Sequence, residues 1–201
     1  MRVIAIDGPV GSGKSTVARA VAQRLGLEVL ETGAMYRAVA AAALRLGIEP
    51  GPDTAGELAG LARQIDPDAA TDADLRSPEV NRAVSTVAAQ LAVRAELVAL
   101  QRQWAEDRGG GVVEGRDIAT VVFPDATLKV FLTASEEERA RRRGGDETAA
   151  GIARRDRLDS SRSASPLVVA DDALVIDSTG LSAEEVADEI VAALGGGAEQ
   201  P

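Results

Sequence analysis

Apolar residues recur along this chain in two rhythms. Short continuous runs stand at residues 3–7, 28–30, 111–114, 128–132 and 173–176, each the length of a buried strand rather than a helix. Between them apolar positions fall at three- and four-residue intervals, which predicts helices over 14–25, 34–46, 54–64, 78–87, 93–108, 135–143, around 149–158 and over 182–194. Strands that alternate with helices, each strand apolar on both sides, imply a three-layer α/β/α fold on a mostly parallel five-stranded sheet. Neither an internal repeat nor a Pro/Gly/Ser-rich linker divides the chain, so residues 1–201 are expected to form one domain. The segments EPGPDT and DPDAATDADLRSP read as loops, and the tail GGGAEQP is expected to be disordered.

The first run leads directly into GPVGSGKST, which fits the P-loop pattern from Gly8 to Ser15. Its context agrees, because a strand precedes it and a helix ending at Gly26 follows. Gly8, Gly11 and Gly13 allow successive backbone N–H groups to turn around a phosphate at the positive end of that helix, with Ser12 and Thr16 alongside. Lys14 adds a point charge for the outer phosphates, and the hydroxyl of Ser15 is the expected ligand of a magnesium ion that bridges them. Ligands of such sheets sit beyond the carboxyl ends of the strands. That rule draws attention to three further post-strand segments, ETGAMYR, EGRDIAT and TASEEER.

Composition narrows the chemistry. With no cysteine and no histidine, the chain has no disulfide, no thiolate metal site and no imidazole base. Carboxylates, guanidinium groups, hydroxyls and two lysines remain, a set suited to phosphoryl transfer. A formal net charge of −10 argues against nucleic-acid binding, and no 18-residue apolar run argues for a membrane span. A cytoplasmic monomer acting on small molecules is expected. Within this acidic chain Arg139, Arg141, Arg142, Arg143, Arg154, Arg155, Arg157 and Arg162 crowd one segment. They suit a local site for a phosphorylated ligand, and equally a solvated helix paired with Glu136, Glu137, Glu138 and Asp156.

On the acceptor side, ETGAMYR supplies a hydroxyl at Thr32, which also reads as a helix cap, and a guanidinium at Arg37 about one turn into a helix. EGRDIAT places Glu114, Arg116 and Asp117 at the end of a buried strand. Arg116 suits a phosphate and Asp117 a substrate hydrogen bond, although a structural ion pair between the two would look the same. Further on, Arg155, Asp159 and Arg162 stand at i, i+4 and i+7 on one stripe, where an ionised Asp159 suits an amino group such as that of cytosine.

Taken in order, IDGPVGSGKST, ETGAMYRAVA, STVAAQLAVRAEL, VVEGRDIATVVFPDATLKVFLTASEEERARRR, RRDRLDSSRSASPL and DALVIDST resemble the bacterial cytidylate kinases over most of the chain. The resemblance implies the nucleoside-monophosphate kinase fold, with a monophosphate-binding insert at about 33–107 and an arginine-rich lid at about 139–162. It implies transfer of a phosphoryl group from ATP, with magnesium, to CMP or dCMP. Carried onto this sequence, Thr32, Arg37, Ser85, Arg94, Arg116, Asp117, Arg155, Asp159 and Arg162 would hold the substrate nucleotide. Ser85 and Asp159 resemble the cytosine readers. Gly8, Gly11, Ser12, Gly13, Lys14, Ser15 and Thr16, with Arg139 and Arg143, would hold ATP. Lys14, Arg37, Arg116, Asp117 and Arg155 would act at the transferring group. Both the insert and the lid are shorter here than is usual in that family. The readings kept beside this one are another small-molecule P-loop kinase and a nucleotide-binding regulator without turnover.

Overall fold

The protein is described here from a computed structural model, which covers residues 1–69, 75, 77–143, 151, 152, 154, 156, 157 and 165–196. Residues 197–201, half of the helix expected around 149–158, and Arg155, Asp159 and Arg162 lie outside the described residues. The chain divides into two compact units, Met1–Val29 with Arg108–Pro201, and Leu30–Asp107.

The first unit is built on a sheet of order β2-β3-β1-β4-β5. Its strands are β1 (Arg2–Asp7), β2 (Val29–Glu31), where the division between the units falls, β3 (Gly110–Gly115), β4 (Leu128–Thr133) and β5 (Leu174–Asp177). β1 pairs in parallel with β3 on one side, Ile4 opposite Val112, and with β4 on the other, Ile4 opposite Leu128. β4 in turn pairs in parallel with β5. Every residue of β3 and all but the first of β1 are buried, as continuous apolar strands covered on both faces must be. Helix α1 (Lys14–Leu25) packs on β3 and on the last helix, Ala183–Gly196. Their shared core joins Ile4, Ile6, Val21, Val112, Leu132 and Ile190. Because β1 is central and the chain next turns away from it, the loop after β1 lies at a switch point of the sheet, where α/β folds place ligands.

The second unit is helical. It holds α2 (Thr32–Arg45), a 3₁₀ turn Pro52–Thr54, α3 (Ala55–Ala62), α4 (Pro78–Ala88) and α5 (Leu91–Asp107). Alanine-rich α2 is a strong helix former and packs on α3, α4 and α5. Ser77 caps α4 by accepting from Val80 N at 3.3 Å, with Pro78 in the first helical position, where a missing N–H costs nothing. Trp104 of α5 donates its indole N–H to Asp68 at 3.0 Å, satisfying the polar end of a buried ring.

The first unit also holds α6 (Glu136–Arg142) and α7 (Ala183–Gly196). Among the described residues, no single helix is long and apolar enough to cross a membrane. Among the described residues the strands and α-helices match expected ones with shifted ends: β2 starts and ends one residue later, α2 starts two residues earlier, and α3 starts one residue later, after the 3₁₀ turn Pro52–Thr54, and ends two residues earlier. Among the described residues, the 3₁₀ turn Pro52–Thr54 and a π-type turn over Ile118–Val122 were not expected.

Candidate functional site

The glycine loop is closed by contacts from three directions. Gly8 has φ 155°, and a Cβ there would lie 2.0 Å from the carbonyl oxygen of Leu132, so only glycine lets the loop leave β1 this close to β4. Gly13, at φ 91° and ψ 7°, turns the chain into α1 in a left-handed conformation. Inside the loop, the carbonyl of Pro9 accepts from Lys14 Nζ at 2.9 Å and from Ser12 Oγ at 3.0 Å. Lys14 is thus held, only 6% exposed, at the start of α1. Ser15 donates its hydroxyl to Glu114 Oε1 at 2.9 Å, which brings two oxygen donors from the loop and the end of β3 together. Hard oxygen donors of this kind fit Mg2+, which keeps water and phosphate as its other ligands. Among the described residues no group of three or more acidic, His or Cys side chains could hold a metal by itself.

The second direction is α6. Arg139 is buried, donates through Nη1 to the carbonyl of Val10 at 3.0 Å, and pairs with Asp156. Asp156 also accepts from Val10 N at 3.3 Å. One turn on, Arg142 donates to the carbonyl of Ser12 at 3.2 Å. Arg141, between them, faces outward and pairs with Glu138 at 2.7 Å. That pairing holds the Glu138 carboxyl well below its usual range, to about 2. Arg143 closes the helix, its N–H bonded to Ala140 O at 3.2 Å. A cavity of about 210 Å³ lies against this face, lined by Ser12, Gly13 and Thr16 of the loop and by residues of α6, α7 and the turn after β5.

The third direction is the turn after β3. The carboxylate of Asp7, the last residue of β1, accepts from Ile118 N at 2.9 Å and from Ala119 N at 2.8 Å. This clamp fixes the π-type turn whose N-terminal flank is Asp117, itself buried. Arg116 is half-buried and donates to Gly115 O at 3.1 Å. Burial pushes the Asp7 carboxyl up to about 6, against the two N–H bonds that pull it down; nearby Asp117 raises it further and Lys14 lowers it. A carboxyl raised from 3.8 binds more protons folded than unfolded, so its contribution is present below about 4 and is lost as pH rises through about 6. The melting temperature of the unaltered chain is therefore expected to fall relative to that of Asp7→Asn between pH 4 and pH 6.5. A difference that is flat or that widens in the other direction contradicts this.

In the helical unit, Thr32 is buried and is the first residue of α2, whose N-cap is Glu31 with no side-chain cap bond. The cap reading of Thr32 is therefore corrected. Arg37 is half-buried on α2, and Ser85 is half-buried in α4. Arg94, on α5, is 5% exposed, donates to Ala88 O at 3.4 Å and stands over the Tyr36 ring, 5.6 Å from its centroid. Thr32, Arg37, Ser85 and Arg94 are thus grouped within one unit, and the loop residues with Arg116, Asp117, Arg139 and Arg143 within the other.

Sequence reasoning did not assign roles to Asp7, Arg142 or Ser178. Asp7 carried a signal, since an acid closing a fully apolar strand requires partners once buried. Ser178 offered only its place just after a strand, and Arg142 none within a run of three arginines.

A protein-family model described as cytidylate kinase matches residues 4–195. A cytidylate kinase of Mycobacterium leprae (strain Br4923) is 49% identical over 203 residues, covering 92% of this chain and 91% of the relative. One from Desulfitobacterium hafniense (strain Y51) is 49% identical over 213 residues, covering 94% and 90%. Among solved structures, a gluconokinase from Sinorhizobium meliloti 1021 superposes with a TM-score of 0.52 at 16% identity, covering 96% of this chain and 91% of that one, a likeness of fold.

Proposed function

This chain belongs to the cytidylate kinase family, and on that premise we propose that it transfers the γ-phosphoryl group of ATP to CMP or dCMP, giving ADP and CDP or dCDP. The observation that carries the reading is the glycine loop with Lys14 and Ser15 at the start of α1 and Glu114 bonded to Ser15. Gly8, Gly11, Ser12, Gly13, Lys14, Ser15 and Thr16 hold the ATP phosphates, and the cavity beside Gly13 and Thr16 receives the base. Ser15, with Glu114, holds Mg2+, which when bound neutralises charge on the phosphate oxygens.

Thr32, Arg37, Ser85, Arg94, Arg116, Asp117, Arg155, Asp159 and Arg162 hold the monophosphate, Ser85 and Asp159 on the cytosine ring. The attacking phosphate oxygen of CMP is ionised at neutral pH, so no general base is needed. Catalysis consists of bringing two anions together and stabilising the charge that spreads over the transferring group, the work of Lys14, Arg37, Arg116 and Arg155, with Asp117 orienting the substrate. Arg139 and Arg143 complete the ATP side. The enzyme acts as a cytoplasmic monomer on small-molecule substrates, without a nucleic-acid or membrane partner.

Product analysis tests this reading. Chromatography of the purified chain incubated with ATP, Mg2+ and CMP is expected to show CDP and ADP in equal amounts. ADP without CDP, or no ADP, contradicts it.

A further inference from the structure

We propose that Arg142 and Ser178 are positioning residues that aim the phosphate-binding N–H of Gly13 by pinning the carbonyl of Ser12. This rests on the reading of the glycine loop as the ATP site. A trans peptide unit is planar, and its C=O and N–H point in opposite directions. Whatever fixes the Ser12 carbonyl therefore fixes the Gly13 N–H on the other side. The carbonyl has two donors at hand, Arg142 Nη1 at 3.2 Å and Ser178 Oγ at 3.1 Å. Left to itself, a peptide that precedes a glycine swings easily, and a loop that must present several N–H groups inward needs its carbonyls held outward. The peptide two positions earlier repeats the device, since Arg139 holds the carbonyl of Val10 at 3.0 Å and so sets the N–H of Gly11.

The pair is itself held firmly. Ser178 is 2% exposed and its N–H donates to Thr133 O at 2.9 Å. Arg142 donates through Nη1 to Ser178 Oγ at 2.9 Å, through Nη2 to Ser178 O at 2.7 Å, and through Nε to Glu138 Oε1 at 2.7 Å. Each arm of the guanidinium has a partner, so its direction toward Ser12 is determined. Ser178 Oγ also lies 2.9 Å from Thr133 O. One hydroxyl proton cannot serve both carbonyls, so Arg142 carries more of the hold on Ser12 than Ser178 does.

Because both residues also line the cavity beside the loop, direct contact with the nucleoside is the competing role, and inorganic tripolyphosphate separates the two. Calorimetry on the full chain, with MgATP and with magnesium tripolyphosphate, is expected to show both dissociation constants rising together in Arg142→Met, by about tenfold, the scale of a hydrogen bond from a charged donor. Ser178→Ala is expected to weaken both by about threefold. The double variant should be weaker than Arg142→Met alone, because the Ser12 carbonyl then keeps neither donor, and its loss should differ from the sum of the single losses, because both act on one carbonyl. CMP binding should stay within about twofold of the unaltered chain.

Weaker MgATP binding with unchanged tripolyphosphate binding means contact with the nucleoside and overturns the proposal. So does an equal loss of CMP binding, which marks a general structural role, and so does unchanged binding of both phosphates. If Arg142→Met does not fold, Arg142→Lys keeps the charge but loses the fork. Undiminished MgATP and tripolyphosphate binding by that variant also overturns it. These readouts are independent of turnover: an unaltered chain that binds MgATP but makes no CDP contradicts the proposed function and leaves this test intact.

Discussion

Lys14→Met is expected to lower kcat by about a hundredfold to a thousandfold, the range seen when one preorganised charge at a transferring group is removed. The side chain is almost wholly buried at the head of α1, with its ammonium 2.9 Å from the Pro9 carbonyl. Methionine fills the same space, so the fold should persist while the loop loses its point charge. A second readout follows from electrostatics. Lys14 pulls the Asp7 carboxyl down, so its removal should move the Asp7 titration above about 6. A variant with near-normal kcat would place the essential charge elsewhere, and an unmoved Asp7 would contradict the electrostatic account of the loop.

The second large effect concerns Arg94. Its guanidinium is buried over the Tyr36 ring and bonded to the Ala88 carbonyl, and both contacts fix its direction on α5. Arg94→Met is expected to raise KM for CMP about a hundredfold, the scale of a bidentate guanidinium–phosphate contact, and to leave KM for ATP within about twofold. Arg94→Lys should recover little, because an ammonium cannot reproduce the planar fork. Equal rises in both KM values would mean that Arg94 holds the helical unit together and does not bind the monophosphate.

The parts of this fold that could be read in advance are those whose signals are local. Residues 14–25 form the expected helix because a glycine loop starts it and Gly26 ends it. β3 and β4 follow from apolar runs of strand length, β3 buried throughout and β4 in part. The start of α2 was misjudged because Gly33 looks like a break, yet glycine is tolerated in a first turn and the helix begins at Thr32.

What was not legible depends on partners distant in sequence. The π-type turn at Ile118–Val122 is set by Asp7, 111 residues away from Ile118. The candidate site shows the same division. Gly8 to Ser15 announce themselves by spacing, whereas nothing within the run Arg141–Arg143 says which guanidinium meets the loop. Only the folded α6 separates Arg139 and Arg142, turned to the Val10 and Ser12 carbonyls, from Arg141, turned to solvent.

Phosphorylation of a cytosine monophosphate at this loop is checked by ADP formation from ATP and Mg2+ with CMP, dCMP, UMP, AMP, GMP or no acceptor, at equal concentrations. Strong stimulation by CMP and dCMP is expected, with the purine monophosphates near the level without acceptor. Equal stimulation by several monophosphates, or by none, would contradict it.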